Sequence, residues 1–353
     1  MYKMRVGKIS SAGIVFTVIF LFYSSAFFSQ CNKKNSESLS DLPVTATYVI
    51  TEPKMGDAKL MSDKIVAGTD GHMIVFQNDG SIFREYPGIS LYWLYVYEQE
   101  HMIVAAGDGN EVRLIQMNDD WTVRTNQVVN IKESNRKEVL KIDPTIVKAE
   151  DTYILTYTQI EGTVNNADRD AENGVYTVKC MRSEDALHWT ETTDIVTHKN
   201  NIEDGDMVYA EQSGELYYFF EKELYDRGPS SICVIISKDG GLTWGDEIEL
   251  LPAEADHELA SAYVTDTGFC IYYSSDCERA GTSYEGAKIY KAIFDEDFSP
   301  EEVRLADIEE KKGILLYDVK DATEGVCYLY VQNYLTENHL VLKKVVRRYG
   351  DDE

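Results

Sequence analysis

The 353-residue chain holds 61 Asp and Glu against 34 Lys and Arg, a formal charge of −27 at pH 7. Such an acidic excess excludes a nucleic-acid or anionic-membrane surface, because phosphate binding needs clustered cations. With 44% hydrophobic residues the chain is globular rather than disordered, and 24 Tyr and 12 Phe against 7 Pro favour strands over helices and linkers.

The first 31 residues stand apart from the fold. Lys3, Arg5 and Lys8 form a basic start, residues 12–28 an almost uninterrupted apolar stretch, and residues 32–38 a polar tether. That order is the pattern of a secretory signal. It resembles a bacterial lipoprotein signal in which Cys31 carries the lipid, with Gln30 where such signals place a small residue. The alternative is an uncleaved anchor, since the apolar stretch nearly spans a bilayer. The expected organisation is a signal over 1–31, a tether over 32–42 and one domain over 43–348. The chain is expected to be exported and either held at the cell surface or membrane through its N-terminus or secreted.

Beyond the tether no segment sustains a period near 3.6, and short period-2 runs recur instead. Residues 45–50 are the first. Lys64-Ile-Val-Ala, Met73-Ile-Val-Phe and Ile82-Phe-Arg make a faint unit; Leu91-Tyr-Trp-Leu-Tyr-Val, Met102-Ile-Val-Ala-Ala, Val112-Arg-Leu-Ile and Trp121-Thr-Val make another. Three clearer units begin at Asp143-Pro-Thr-Ile-Val-Lys, Asp206-Met-Val-Tyr and Ala260-Ser-Ala-Tyr-Val. The last unit, from Ile314-Leu-Leu-Tyr to Leu340-Val-Leu-Lys-Lys-Val, is one strand short, and residues 45–50 can supply it. Tandem units of this kind predict an all-β fold: a six-bladed β-propeller of four-stranded antiparallel blades, with five blades as the alternative.

Export permits disulfides. Cys180, Cys233, Cys270, Cys277 and Cys327 are odd in number, however, and read as small buried hydrophobes. No C-x-x-C, His/Cys cluster, phosphate loop or nucleophile elbow is present, and no cofactor is expected. Asp168, Asp170 and Glu172 alternate as oxygen ligands, the one place where the sequence offers a Ca²⁺ loop.

Ser237-Lys-Asp239-Gly240-Gly241-Leu-Thr243-Trp244 resembles the Asp-box of sialidases and related bacterial-neuraminidase-repeat propellers. Ser183-Glu-Asp185-Ala-Leu-His-Trp189 is a decayed copy and Asn118-Asp-Asp-Trp121 a third remnant, each between the third and fourth strands of its unit. The chemistry of the box is structural. Asp239 and Asp185 can accept backbone N–H bonds, Gly241 can take a positive φ, and Trp244 can cover the blade. Ile142-Asp143-Pro144 followed by Tyr153-Ile-Leu-Thr-Tyr-Thr resembles a pattern of five-bladed arabinanase- and invertase-like glycosidases. Both resemblances imply a sugar-handling propeller.

In that topology the connections between strands two and three, and between blades, share the face opposite the Asp-boxes. That face receives Arg169, Arg227 and Arg279 from the two-to-three connections. The segments entering strand one bring Asp143, then Glu203, Asp204 and Asp206, then Asp256, His257 and Glu258. The sialidase resemblance implies three Arg on a sugar carboxylate, a Tyr nucleophile (Tyr225, Tyr284 or Tyr334) and Asp143 or Asp206 as acid/base. Carboxylate pairs across a funnel suit glycoside hydrolysis, making Asp143, Asp206, Glu203 and Glu258 the catalytic candidates. Arg169, Arg227, Arg279, Tyr225 and Tyr284 are the ligand-binding candidates; local ion pairing with acidic neighbours is the alternative for each Arg. The expected function is a monomeric, exported, sialidase-like glycoside hydrolase or glycosidase-like protein acting on an extracellular glycan or oligosaccharide. It is exo-α-sialidase-like or arabinanase-like, and the alternative is a non-catalytic glycan- or protein-binding propeller lipoprotein.

Overall fold

Alternate side chains leave a strand on opposite faces, so the period-2 runs build faces that other sheets must cover. The computed structural model describes residues 44–50, 55–69, 71–107, 111–129, 139–162, 173–199, 201–223, 229–276, 286–306, 313–322, 325–332 and 339–346. After β1 (Val44–Ile50) come β2 (Met55–Leu60), β3 (Lys64–Thr69), β4 (His72–Gln77) and β5 (Ile82–Pro87), which form one sheet. β6 (Trp93–Tyr97), β7 (Met102–Ala106), β8 (Val112–Met117) and β9 (Val123–Val128) form the next. β10 (Val139–Ala149), β11 (Thr152–Glu161) and β12 (Val175–Ser183) are completed by two short pieces, β13 (Thr190–Glu191) and β14 (Val196–His198), both on β12. β15 (Asn201–Ala210), β16 (Glu215–Glu223), β17 (Ser230–Ser237) and β18 (Ile248–Ala255) follow, then β19 (His257–Thr265), β20 (Gly268–Ser275), β21 (Lys288–Asp295) and β22 (Pro300–Leu305). The last sheet takes β23 (Ile314–Ala322), β24 (Gly325–Gln332) and β25 (His339–Val346), and β1 joins it by pairing antiparallel with β25.

Among the described residues the strands thus fall into six sheets, in an all-β propeller of four-stranded antiparallel blades. The first strands of successive sheets neighbour one another in the cyclic order β2, β6, β10, β15, β19, β23 and back to β2. Burial follows from this arrangement. β7 and β20, second strands covered on both faces, are buried along their whole length, whereas the outer strands β5 and β9 alternate largely with solvent. The core is accordingly divided into wedges between adjacent sheets. One unites Ile154, Val178 and Cys180 with Tyr218, Phe220 and Ile235; another unites Val66, Val75 and Met73 with Ile103, Ile115 and Trp121. Cys180, Cys233 and Cys270 lie in such buried positions outside any disulfide, as the sequence reading expects, and burial pushes Cys233 up to about 12.

Two expectations need correction. The first unit's inner strand is Met55–Leu60, which the apolar alternation does not mark because Gly56, Asp57 and Lys59 interrupt it. Asp143, Glu203, Asp204 and Asp206 are not in connections but inside the inner strands β10 and β15, which begin several residues upstream. Among the described residues no helix is long and apolar enough to cross a membrane.

Because β1 occupies the free edge of β25, its removal would leave an unpaired strand row at the seam of the ring. Deleting residues 1–54 is expected to lower Tm by more than 10 °C and to produce concentration-dependent oligomers. Differential scanning fluorimetry and light scattering check both.

Candidate active site in the propeller channel

Each inner strand is the axial edge of its sheet, so its outward N–H groups need acceptors that the sheet cannot supply. Carboxylates from the neighbouring inner strand supply them. Leu94 N–H donates to Asp57 Oδ2 (2.9 Å), Asp204 N–H to Asp143 Oδ2 (3.1 Å), Ala262 N–H to Asp206 Oδ2 (2.7 Å) and Leu60 N–H to Asp318 Oδ2 (2.6 Å). Ser261 Oγ donates to Asp318 Oδ1 (2.9 Å) and accepts from Val319 N–H, tying β19 to β23. Asp57, Asp206, Ser261 and Asp318 occupy equivalent positions, each the first paired residue after a register break in its strand. Lys59 stands among them and donates to Tyr317 O (2.9 Å). Burial opposes its charge, but Asp57, Asp318, Asp206 and Asp204 outweigh it and hold the ammonium above its ordinary pKa. Burial pushes Asp206 and Asp318 each up to about 6, and Asp57 upward as well.

Toward the N-terminal ends of the inner strands two register breaks are wider. Asp143 and Pro144 of β10 lie opposite the single Tyr157 of β11, and Asp204 and Gly205 of β15 opposite the single Phe220 of β16. Asp143 and Asp204 take φ of 46° and 52°, the left-handed region that costs a non-glycine residue about 1 kcal/mol or more. Gly205 has no alternative, since a Cβ there would overlap the Tyr218 hydroxyl. The two breaks bring Asp143 and Asp204 together. Burial first, and then the charge of Asp204, push the Asp143 carboxyl well above the usual range. Burial pushes Asp204 up to about 6 against hydrogen bonding from Glu221 and the charge of Lys59.

Beside this pair lie two overlapping carboxylate triads, Asp204–Glu221–Glu258 and Glu221–Glu223–Asp256, with ligand oxygens all within 4.8 Å of one another. Glu221 is common to both. Burial, followed by the charges of Glu223, Asp204, Glu258 and Asp256, pushes it well above the ordinary range. These are the described residues best placed to hold a metal ion. His257 does not neutralise them: burial lowers it to about 4, and its Nδ1 lies 2.9 Å from Ser275 Oγ.

The channel widens into a cavity of about 420 Å³ lined by Lys59, Tyr95, Asp206, Ser261, Tyr263 and Asp318 among others. Neither Asp143 nor Asp204 lines it. It extends toward the C-terminal ends of the inner strands, where Lys148 binds Glu100 (2.7 Å) and Lys320 pairs with Glu98. Of the sequence candidates, Asp143 and Glu258 therefore gather with Asp204 at the N-terminal ends. Asp206 is a strut deeper in the channel, and Glu203 pairs with Glu221 across the β15–β16 ladder. Asp57, Lys59, Asp318, Glu221 and Glu223 were missed. The repeat held a signal for two of them, since Asp57 and Asp318 match Asp206 once the units are aligned. Arg169, Arg227, Arg279, Tyr225, Tyr284, Tyr334, Cys31 and the Asp168–Glu172 loop lie outside the described residues.

On the other face residues 237–244, the segment that resembles an Asp-box in sequence, form a closed turn. Asp239 Oδ1 accepts from Leu242 N–H (3.1 Å), Thr243 N–H (2.9 Å) and Ser237 Oγ (2.9 Å), and Oδ2 accepts from Thr243 Oγ1 (2.6 Å). Gly241 has φ 82°, and Trp244 packs on the wedge between two sheets. Asp185 caps its turn through Leu187 and His188 N–H, and Trp189 is buried. Asp120 does the same with Thr122. Two further turns, unmarked in the sequence reading, carry the device: Asp79 with Ser81, and Asp295 with Asp297 and Ser299.

An acidic-channel propeller is the class that fold and site define. No protein-family model matches the chain, and no curated protein matches it. Among solved structures it is similar to an α-L-arabinanase from Penicillium chrysogenum complexed with arabinobiose. The TM-score is 0.57 at 12% identity, over 86% of this chain and 98% of that one. It is equally similar to an α-L-arabinofuranosidase from Fusarium graminearum, solved with an iminosugar inhibitor (TM-score 0.57, 11% identity, 86% and 98% covered). These structural neighbours are glycoside hydrolase propellers, and at this identity the likeness is one of fold.

The channel carboxylates also set a pH dependence. A folded-state pKa near 6 lies above the unfolded value near 3.9, so the folded state holds more protons between those limits. The contribution of Asp206 and Asp318 to stability is therefore fully present below about pH 4 and is lost as pH rises through about 6. Asp318→Asn, which keeps an acceptor oxygen, is expected to shrink the fall in Tm between pH 4.5 and 7.5, as read by thermal melts across that range.

Proposed function

We propose that the chain is a glycoside hydrolase of the propeller class that cleaves an oligosaccharide at the N-terminal end of its channel. Asp143 is the proton donor and Asp204 the companion carboxylate. One observation carries this reading: two adjacent inner strands each break register to hold a strained, left-handed Asp, and the Asp143 carboxyl accepts the Asp204 N–H there. Backbone strain retained in a residue other than glycine is a mark of function. A protonated carboxyl next to a carboxylate is the pair that glycoside hydrolysis uses. Asp143 protonates the leaving glycosidic oxygen, while Asp204 stabilises the positive charge that develops on the sugar ring or activates the incoming group.

Arabinose-containing oligosaccharides are the first substrate class to test, in view of the arabinobiose bound to the Penicillium arabinanase. The Asp-box turn supports a relation to sialidase propellers, so a sialoside belongs in the same panel. Arg169, Arg227 and Arg279, which lie outside the described residues, are the cations we assign to sugar recognition from the sequence. The basic and apolar first 31 residues support a reading in which the chain is exported with a lipid on Cys31 and meets its substrate outside the cytoplasm.

Aryl α-L-arabinofuranosides, arabinobiose, an aryl sialoside and an aryl β-mannoside should reveal turnover of at least one member. Asp143→Asn is expected to lower kcat by roughly 10²- to 10⁴-fold with KM little changed, the loss typical of a removed general acid. Turnover by none of them, together with glycan capture on an array, would replace hydrolysis by the non-catalytic binding reading.

A further inference from the structure

We infer that Glu221, Glu223 and Asp256 form a Ca²⁺ site joining the β15–β18 sheet to β19. The inference is independent of the hydrolytic reading, because neither Asp143 nor Asp204 is among its ligands.

The geometry comes from the strands. Glu221 and Glu223 are two residues apart on β16 and so project from the same face, while Asp256 occupies the single position between β18 and β19. Their ligand oxygens lie within 4.8 Å of one another, and all three residues are more than 90% buried. Oxygens that share a Ca²⁺ at about 2.4 Å are at most about 4.8 Å apart, and all three pairs here meet that requirement.

Two buried oxygens without partners, one on Glu221 and one on the residue paired with Glu223, point to a cation. Glu221 Oε2 has no hydrogen-bond partner, although the residue is only 3% exposed. Asn201 pairs with Glu223 across the β15–β16 ladder and donates from Nδ2 to Glu223 Oε1 (3.3 Å). Its own Oδ1 has no partner either, at 1% exposure. A buried acceptor left without a donor is destabilising, the more so when it is charged. A cation at this point relieves both oxygens at once, with the Asn201 amide oxygen as a neutral fourth ligand.

The donor set selects the ion. It is all oxygen and mostly carboxylate, which suits Ca²⁺ or Mg²⁺ rather than Zn²⁺ or Cu²⁺. Mg²⁺ keeps several waters and rarely takes a cage of protein ligands, whereas Ca²⁺ accepts six to eight oxygens in flexible geometry. Glu221 also belongs to the triad with Asp204 and Glu258, so an ion held on it lies next to the channel mouth.

The test uses the purified full chain, treated with EDTA and desalted. Calorimetric titration with CaCl₂ is expected to give one site per chain, and melting with added CaCl₂ a saturable rise in Tm. MgCl₂ should bind at least tenfold more weakly. Glu221→Gln should weaken Ca²⁺ at least tenfold; Glu223→Gln provides the same reading if that variant does not fold. Glu254→Gln, a half-buried neighbour outside the ligand set, and Asp143→Asn should both bind as the parent does. Absence of a calorimetric site together with a Tm indifferent to EDTA and Ca²⁺ overturns the proposal. Equal binding of Mg²⁺ overturns the assignment to Ca²⁺, and unchanged affinity in Glu221→Gln overturns the ligand set.

Discussion

The axial edges of the inner strands must be hydrogen-bonded inside a narrow channel, and that constraint shapes the molecule. The outer edge of a blade can face water, but the inner edge faces only its neighbours. Asp57, Asp143, Asp206 and Asp318 answer by reaching across to the next strand's N–H, with Ser261 closing the β19–β23 seam. The arrangement crowds carboxylates around one ammonium, Lys59, so several of them have pKa values raised by burial. A set of struts made from ionisable groups is chemically active material by construction. Where one of them reaches a second strained Asp, as Asp143 does Asp204, burial and the neighbouring charge raise the strut's own carboxyl.

The two ends of the channel are built differently. At the N-terminal ends of the inner strands the carboxylates Asp204, Glu221, Glu223, Asp256 and Glu258 outnumber any cation among the described residues nearby, and His257 stays neutral. At the other end Lys148 and Lys320 balance Glu100 and Glu98. A ligand with electropositive or hydroxyl-rich character is favoured at the first end, and electrostatics there do not compete with a balanced second end. The Asp-capped turns lie on the second face and serve the hairpins between third and fourth strands, where exposed Asp side chains hold backbone N–H groups at little cost.

Much of this was legible in the sequence. The apolar alternation marked the covered middle strands, because burial on both faces demands continuous hydrophobic runs such as Leu216-Tyr-Tyr-Phe-Phe. The missing fourth strand of the last unit was visible as an absence, and Val44–Ile50 fills it. The Asp143, Asp204, Asp206 and Glu258 acids were found as a group. They were placed in connections rather than strands, because polar residues in a strand look like its end. In the channel they are its middle, since the inner edge has polar work to do. For the same reason Met55–Leu60 escaped notice: Gly56, Asp57 and Lys59 are what a channel wall requires and what an amphipathic strand lacks. Glu221 and Glu223 read as the polar tail of an apolar run, and only the facing of β16 toward the β18–β19 junction gathers them with Asp256.

The pairing of β1 with β25 also sets a timetable. Every other strand pair lies within a stretch the ribosome delivers in a few seconds, so each blade's hairpins can form as they emerge. Val44 finds its partner Val345 only after about 300 further residues have been made. At roughly 5–20 residues per second that is a wait of some 15–60 s, during which the first strand has no partner. The entropic cost of so long a loop is modest, growing only logarithmically with length. What the topology imposes instead is an order: the ring becomes one cooperative body in its final step, when the end of the chain returns to its beginning.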